Sequence, residues 1–234
     1  MGAIYRREMG AFFTSGIAYV FLAGYALFSG LFFSFGVIGS GVSDISPMFS
    51  SMFIIVVFLI PILTMRLLSE EKKNRTDQGL LTAPISLSSI VLGKYFAALT
   101  LFIIAESIVF IYAIIIALCG EVVWSTLLGN YFAMLFLGAA FIAIGLFISS
   151  LTENQIASAL IGMFVLFVLY LMDSLAANIP VEFIQKVVVS AAFYSRYLEL
   201  TRGVFDLSTI VYFISIAVLF NFFSVRVLDK RRWG

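Results

Sequence analysis

Residues 52–68 read MFIIVVFLIPILTMRLL, and they are followed at once by SEEKKNRTD at 69–77 and QGLLTAP at 78–84. An apolar run of membrane length therefore ends in a dense cluster of opposite charges. The chain is 62% hydrophobic and only 12% charged, so a polar segment of this density between two apolar runs is more than a connector. We interpret residues 70–84 as a docking surface for a soluble partner.

Six stretches are long and apolar enough to cross the hydrocarbon core of a bilayer, which takes about 20 residues of helix. Their predicted bounds are 16–38, 48–68, 94–118, 127–151, 156–178 and 208–228. Each span must be helical because a helix satisfies its own backbone hydrogen bonds in hydrocarbon. The sequence thus predicts an all-α polytopic membrane protein with one domain over residues 1–234. Pro61 lies inside the second span and predicts a kink or hinge there.

The composition excludes several classes of function. The net charge is +1 and the basic residues form no single patch, so nucleic-acid binding is not expected. The chain has one cysteine and no histidine, which removes the common metal and thiol sites. It also has no Gly-x-x-x-x-Gly-Lys-Ser/Thr motif for binding phosphate. We therefore predict no catalytic residues, no metal site and no enzymatic activity in this chain.

Basic residues concentrate on one side of the predicted membrane. With six spans, both termini share a side with the loop after span two. That side carries Arg6, Arg7, Arg66, Lys72, Lys73, Arg75, Lys94, Arg226, Lys230, Arg231 and Arg232. The other side carries Lys186, Arg196 and Arg202. Because loops rich in Lys and Arg stay inside, we predict a multi-pass cell-membrane protein with both termini in the cytoplasm.

Two further segments have amphipathic patterns. Residues 3–15 alternate apolar side chains with charges, which is typical of a short helix in the headgroup plane. Its candidate residues are Arg6, Arg7, Glu8 and Phe12. Residues 181–206 combine an apolar stripe with aromatic residues, which predicts short external helices partly sunk in the outer leaflet. Interfacial anchoring without any role in transport is the alternative for both segments.

The loop after span two divides into a stalk and a contact surface. Glu70 and Glu71 are spaced to pair with Arg66 and with residues 73–75, which would stiffen an extension of the second helix. The Leu80-Leu81 pair then follows among polar residues, and Pro84 ends this short helix. A solvated loop with no partner is the alternative interpretation of the spacing.

Two acidic residues fall inside predicted spans. Glu106 lies near the middle of span three, and Asp173 lies toward the outer end of span five. Ionisable groups at membrane depth are costly unless they are paired or face water, so a role in a transport pathway is the first hypothesis. A protonated or hydrogen-bonded packing residue is the alternative for each.

Several motifs occur in the order in which one transporter family has them. They are RRE at 6–8, FFTSGIAY at 12–19, LSEEK at 68–72, GLLTAPIS at 79–86, VLGKY at 91–95 and RGVFD at 202–206. Over nearly its whole length the chain resembles the ABC-2 type permeases. It is most similar to the branch that contains the gliding-motility and nitrous-oxide-reductase-maturation permeases.

This resemblance implies a fold and a set of partners. Residues 3–15 would be an N-terminal elbow helix, and a coupling helix would lie between spans two and three. The coupling residues would be Glu70, Glu71, Lys72, Arg75, Asp77, Gln78, Gly79, Leu80, Leu81 and Pro84. Residues 74–78, NRTDQ, depart from the Gly-Thr-Leu-Glu-like stretch that is usual there.

The family pairs two permeases, identical or paralogous, with two copies of a separate cytoplasmic ATPase. The resemblance therefore implies Mg-ATP in the partner and no cofactor in this chain. It favours export of an unidentified substrate from a bacterial or archaeal cell across the lipid bilayer. A further extracytoplasmic or membrane subunit on residues 181–206 is an open alternative.

Two other functions are compatible with the residues. A proton-coupled secondary transporter would use Glu106 and Asp173 as proton sites and would need no ATPase. A non-transporting subunit would anchor or signal through residues 70–84. Secondary transporters often show inverted repeats and paired broken helices, whereas this sequence offers only Pro61 and no internal symmetry.

Overall fold

A computed structural model describes residues 1–76, 79, 85–176, 185, 192–201 and 206–233 of the chain. Within these ranges every regular element is helical. Six helical stretches are long and apolar enough to cross a membrane: Ile17–Ile38, Ser46–Lys73, Leu87–Leu118, Trp124–Leu151, Gln155–Ala176 and Leu207–Arg232. The prediction of six apolar membrane spans is confirmed.

The spans are built from shorter helices, which we number in chain order. They are α1 (Gly2–Thr14), α2 (Ile17–Phe32) with a π-helical extension (Phe33–Ile38), α3 (Ser46–Thr64), α4 (Ser69–Lys73), α5 (Leu87–Glu106), α6 (Val109–Cys119), α7 (Trp124–Leu151), α8 (Gln155–Ala176), α9 (Phe193–Thr201) and α10 (Leu207–Trp233). Spans two and three are therefore each interrupted, the first between α3 and α4 and the second between α5 and α6.

Helix α7 lies at the centre of the bundle and packs against α3, α5, α8, α9 and α10. Two glycines allow its closest approaches. A Cβ atom on Gly138 would lie 2.2 Å from the ring of Phe102 in α5, and one on Gly145 would lie 2.2 Å from the hydroxyl oxygen of Thr64 in α3. Because no side chain fits at either position, spans two and three pack directly on the backbone of span four.

The helix that forms span three begins before the predicted membrane segment. Helix α5 starts at Leu87, after Ser86 caps it by accepting the Ser89 amide at 3.3 Å. The predicted bound at residue 94 took Lys94 as the edge of the membrane segment, and this bound stays a prediction. Lys94 is instead buried inside the bundle, where acidic side chains neutralise it.

The interruption in span two lies four residues after Pro61. Helix α3 runs through Pro61 and ends at Thr64, and α4 begins at Ser69. Beyond this interruption span two continues to Lys73 as the separate short helix α4, which lies within the predicted stalk. The hinge at Pro61 stays a prediction, since the change of helix is at residues 65–68 rather than at the proline.

A single hydroxyl group satisfies the backbone across this interruption. Ser149, near the end of α7, accepts hydrogen bonds from the amides of Leu68 and Ser69, each at 3.1 Å. It donates to the carbonyl of Met65 at 3.0 Å. A hydroxyl has one hydrogen to donate and two lone pairs, so Ser149 uses its full capacity. The end of span four thereby holds the start of α4 in place.

Much of the segment between spans five and six lies outside the described residues. This covers the predicted external helix around residues 181–188, apart from residue 185, and the motif residues 202–205. The described part includes α9, which docks on span two through the Tyr197 hydroxyl, a donor to the Phe49 carbonyl at 3.1 Å. Asp206 then caps α10 by accepting the amides of Ser208 and Thr209, each at 3.2 Å.

We expect Ser149→Ala to destabilise the protein by about 1–3 kcal/mol, since it leaves buried backbone amides without an acceptor. Thermal unfolding in detergent measures the effect. The control is Ser215→Ala, because the exposed Ser215 hydroxyl bonds the Val211 carbonyl of its own helix. Equal melting temperatures for the two variants would show that Ser149 does not hold the interruption.

Candidate functional site: an ion-pair junction of three helices

Four charged side chains from three helices meet where α1, α4 and α5 converge. The Lys94 ammonium of α5 lies 2.9 Å from Oε1 of Glu8 in α1 and 3.0 Å from Oε1 of Glu71 in α4. Arg7 lies 2.7 Å from the same oxygen of Glu8 and also bonds the same oxygen of Glu71. We call these four residues the ion-pair junction. Its two positive and two negative charges cancel.

The junction is built around a buried lysine. The Lys94 side chain is 1% exposed, while those of Glu8 and Glu71 are 11% and 14% exposed. Removing an ammonium group from water is costly unless it has close charged partners. Lys94 therefore requires both carboxylates, and through them it fixes the positions of α1 and α4 relative to α5.

Apolar contacts bring α1 onto α5. Ile4, Glu8 and Phe12 are spaced four residues apart and form the buried face of α1. Gly93 lies under this face, since a Cβ atom there would be 3.0 Å from the Ile4 side chain. The Tyr5 hydroxyl donates to Thr100 Oγ1 at 3.1 Å farther along α5. This packing places Glu8 beside Lys94.

The charges shift the ionisation of the α1 side chains. Burial raises the pKa of Glu8, but Lys94 and Arg7 outweigh burial and hold that pKa below its usual value of 4.5. Burial opposes the charge of Arg7, yet Glu8 and Glu71 raise its pKa above the usual value. Both groups are therefore charged at neutral pH, and the Glu8 pairs weaken only in acid.

The remaining predicted stalk residues have distinct surroundings. Arg66 pairs with Glu70 at 2.9 Å, as the four-residue spacing predicts. Glu71 was expected to pair within residues 73–75; the pairs that the structure gives it are with Arg7 and Lys94. The spacing rule misassigned Glu71 because side chains from distant segments compete for the same carboxylate.

Lys72 anchors α4 from the other side. Its buried ammonium group donates to the carbonyl of Ser150, one residue before the end of α7. A cation near a helix C-terminus is stabilised by the last carbonyls and by the helix dipole. The stalk is thus held both by the ion-pair junction and by span four.

The predicted contact surface beyond the stalk is mostly outside the described residues. Asp77, Gln78, Leu80, Leu81 and Pro84 belong to this part. Two further predicted coupling residues are described: Arg75 is exposed with a left-handed φ of 56°, and Gly79 is exposed. Arg75 turns the backbone at the end of α4, so the chain changes direction before it reaches residue 77.

The elbow candidates divide between two faces of α1. Glu8 and Phe12 are buried, whereas Arg6 and Arg7 are exposed. Although Arg7 is exposed, its guanidinium group reaches the two carboxylates of the ion-pair junction. A cavity of about 220 Å³ opens beside the junction and is lined by charged residues of α1, α4 and α5 together with Arg66.

Glu106 lies at the interruption in span three, as the last residue of α5. The Tyr25 hydroxyl of span one donates to its Oε2 at 3.0 Å. The other oxygen, Oε1, is buried and has no hydrogen-bond partner among the described residues. This contact with Tyr25 was not predicted from the sequence. Glu106 therefore links spans one and three at the point where span three loses its helical continuity.

Asp173 has a different setting. It is partly buried near the end of α8, and its Oδ2 accepts the Ser195 amide at 3.1 Å. Ser195 belongs to the first turn of α9, where the amides have no acceptor within the helix. Asp173 thus caps α9. In the described part of the chain, Asp173 and Glu106 share no hydrogen-bond partner.

Sequence reasoning missed Asn130, which is fully buried in α7. Its amide nitrogen donates to Thr126 O at 2.8 Å, to Ser46 Oγ at 3.2 Å and to Thr201 O at 3.3 Å. It therefore ties the start of span two and the end of α9 to span four. The sequence does contain the relevant signal: a side-chain amide inside an apolar span needs hydrogen-bond partners in a membrane, so it indicates a contact with another helix.

The described residues contain no group of three or more side chains able to hold a metal ion. Residues 11–225 match the sequence model of a family described as "ABC-2 family transporter protein". The match runs from the end of α1 into α10 and includes Glu71 and Lys94 of the ion-pair junction. A comparison with curated proteins gave no match.

We expect Lys94→Met to destabilise the protein by about 3–5 kcal/mol, because it removes one partner from a buried ion-pair group and leaves two carboxylates with Arg7 alone. Chemical or thermal unfolding in detergent micelles measures this. The matched control is Lys230→Met, at an exposed position of α10. If the two substitutions cost the same, the junction contributes nothing specific to stability.

The lowered pKa of Glu8 gives stability that is present above the ordinary carboxyl pKa and is lost as the pH falls through the folded-state value. We expect the wild type to lose more stability than Glu8→Gln between neutral pH and pH values below 4.5. Melting temperatures over this range test it. Glu121→Gln, an exposed acid, should parallel the wild type. A parallel curve for Glu8→Gln would contradict the expectation.

Proposed function

Because this chain belongs to the ABC-2 transporter family, we propose that it is a permease subunit driven by a separate cytoplasmic ATPase. The family predicted from the sequence motifs is confirmed, and the six apolar helices make the chain a multi-pass membrane protein. The observation that carries the proposal is the ion-pair junction. It joins the segment proposed to receive the ATPase to two other parts of the bundle.

The contacts of α4 support a role in transmitting force. Residues 74–84 follow α4 directly, so an ATPase that pushes on them pushes on α4. Helix α4 is bonded to α1 and α5 through Glu71, and to the end of α7 through Ser149 and Lys72. A displacement of this segment therefore reaches spans two, three and four together. A rigid-body shift of this kind is one of the known forms of conformational switching.

Several finer features belong to the same proposal. Two permease copies, or this chain and a paralogue, would pair with two ATPase copies that hold Mg-ATP. The distribution of Lys and Arg supports a cytoplasmic position for the ion-pair junction and both termini. The family resemblance favours export, and the motifs at 79–86 and 202–206 favour the gliding-motility and nitrous-oxide-reductase-maturation branch. A cell membrane is the proposed location.

The described contacts weigh against the alternative of a proton-coupled transporter. That function would use Glu106 and Asp173 as proton sites. Asp173 accepts a backbone amide and holds α9 in place, which explains an acid at that position without proton transport. Glu106 remains a candidate for a pathway role, since one of its oxygens lacks a partner among the described residues.

The proposal is tested by cross-linking to the ATPase that copurifies with the chain in mild detergent. Single cysteines at Gln78 and Leu81, in a chain whose Cys119 is replaced by Ala, should form cross-links to that ATPase. The matched control is a cysteine at the exposed Val42, at the predicted opposite face. Failure to recover an ATP-hydrolysing chain, or equal cross-linking from Val42, would overturn the proposal.

Docking and transmission separate in a second measurement. We expect Glu71→Gln to retain the cross-links from Gln78 and Leu81 but to lose most of the ATPase stimulation by the permease. Arg75→Gln, just beyond α4, is the comparison for loss of a charge near the same surface. If Glu71→Gln keeps full stimulation, the ion-pair junction does not transmit force.

A further inference from the structure

A second feature lies on the membrane-facing side of the bundle, away from the ion-pair junction. Helices α5, α7 and α10 enclose a groove of about 630 Å³. Its α5 wall extends from Ser88 to Ile103, its α10 wall extends from Ile214 to Val225, and Phe136 of α7 lies between them. We call it the lateral groove. It shares no lining residue with the ion-pair junction.

The lateral groove matches the depth of one leaflet. From Ser88 to Ile103 the helical rise of 1.5 Å per residue gives a length of about 22 Å. Half of a bilayer, with its headgroup region included, is about 20–22 Å thick. Because α5 begins and α10 ends at the same end of the bundle, the groove begins beside the headgroups and reaches the middle of the membrane.

The wall of the lateral groove is almost entirely carbon. Its polar side chains below the mouth are Tyr95 and Asn221. The Tyr95 hydroxyl donates to the Ala139 carbonyl at 3.2 Å, and the Asn221 amide nitrogen donates to the Ala217 carbonyl at 2.8 Å. The wall therefore suits a hydrocarbon chain rather than a polar solute.

Polar and positive groups stand at the mouth. Ser88 is exposed there, and Arg226 follows Val225 on α10. The Arg226 guanidinium lies over the ring of Phe222, a lining residue, at 5.0 Å. Its contact with Asp229 is long, at 3.8 Å, and its side chain is 65% exposed, so it can take up a second anion. Guanidinium groups bind phosphate through paired hydrogen bonds.

We propose that the lateral groove binds an anionic phospholipid of the leaflet next to the ion-pair junction. One acyl chain lies between α5 and α10, and Arg226 binds the phosphate. The apolar wall explains the acyl chain, the length explains the single leaflet, and the arginine at the mouth explains the anionic headgroup. If a helix from a second copy of the chain filled the groove, the positive charge of Arg226 at the mouth would have no explanation.

The probe is phosphatidylglycerol with a photoactivatable diazirine in one acyl chain, added to nanodiscs of phosphatidylcholine that contain the full chain. We expect the label on peptides of α5 and α10 that line the lateral groove. Val218→Trp should fill the groove and lower the labelling there to the level of other lipid-facing peptides. Val211→Trp, an exposed position on the same helix outside the lining, should leave the labelling unchanged.

The headgroup is tested separately. Arg226→Gln should lower labelling by the phosphatidylglycerol probe about fivefold, which is the effect of one basic residue at an anionic membrane surface. Arg226→Lys should restore most of it, and Arg232→Gln, at an exposed position farther along α10, should have little effect.

Three results would overturn the proposal. The first is labelling spread evenly over all lipid-facing peptides. The second is labelling of Arg226→Gln that equals the wild type. The third is a disulfide between two copies of a Val218→Cys chain lacking Cys119, which would show that the groove is a protein interface.

Discussion

The buried ammonium group of Lys94 is the constraint on which the charged end of the bundle depends. Lys94 belongs to α5 and its side chain is 1% exposed, so the ammonium group needs anionic partners that its own helix does not supply. Glu8 and Glu71 supply them from α1 and α4. The positions of the N-terminal helix and of the stalk therefore follow from one charge. Arg7 completes the balance, so the group of four is neutral.

The spans are well predicted from the sequence because the hydrophobicity of about 20 consecutive residues contributes to each prediction. The ends are less predictable where a charge is buried. Lys94 reads as a membrane edge when its partners, 86 residues and 23 residues earlier in the chain, are unknown. The pairing of Arg66 with Glu70 was predictable because the two lie on one helical turn, whereas Glu71 makes its pairs across helices.

The interruptions in spans two and three show a second limit of sequence reasoning. Pro61 suggests where span two should change, yet the change follows at residues 65–68, where Ser149 supplies hydrogen bonds from another span. In span three the interruption follows Glu106, which bonds Tyr25 of span one. In both places a polar side chain distant in sequence supplies the missing hydrogen bonds, to backbone groups in span two and to a carboxyl group in span three. Local helix propensity does not predict these long-range contacts.

The order of the junction residues along the chain has a consequence for biogenesis. Glu8 and Glu71 precede Lys94, so the ribosome makes both carboxylates before the ammonium group that they neutralise. Chains fold from the N-terminus during synthesis. Span three can therefore enter the membrane with its counter-charges already synthesised. In the reverse order, Lys94 would enter before the carboxylates that neutralise it had been made. The third span is thus the first whose insertion completes a structural unit of the protein.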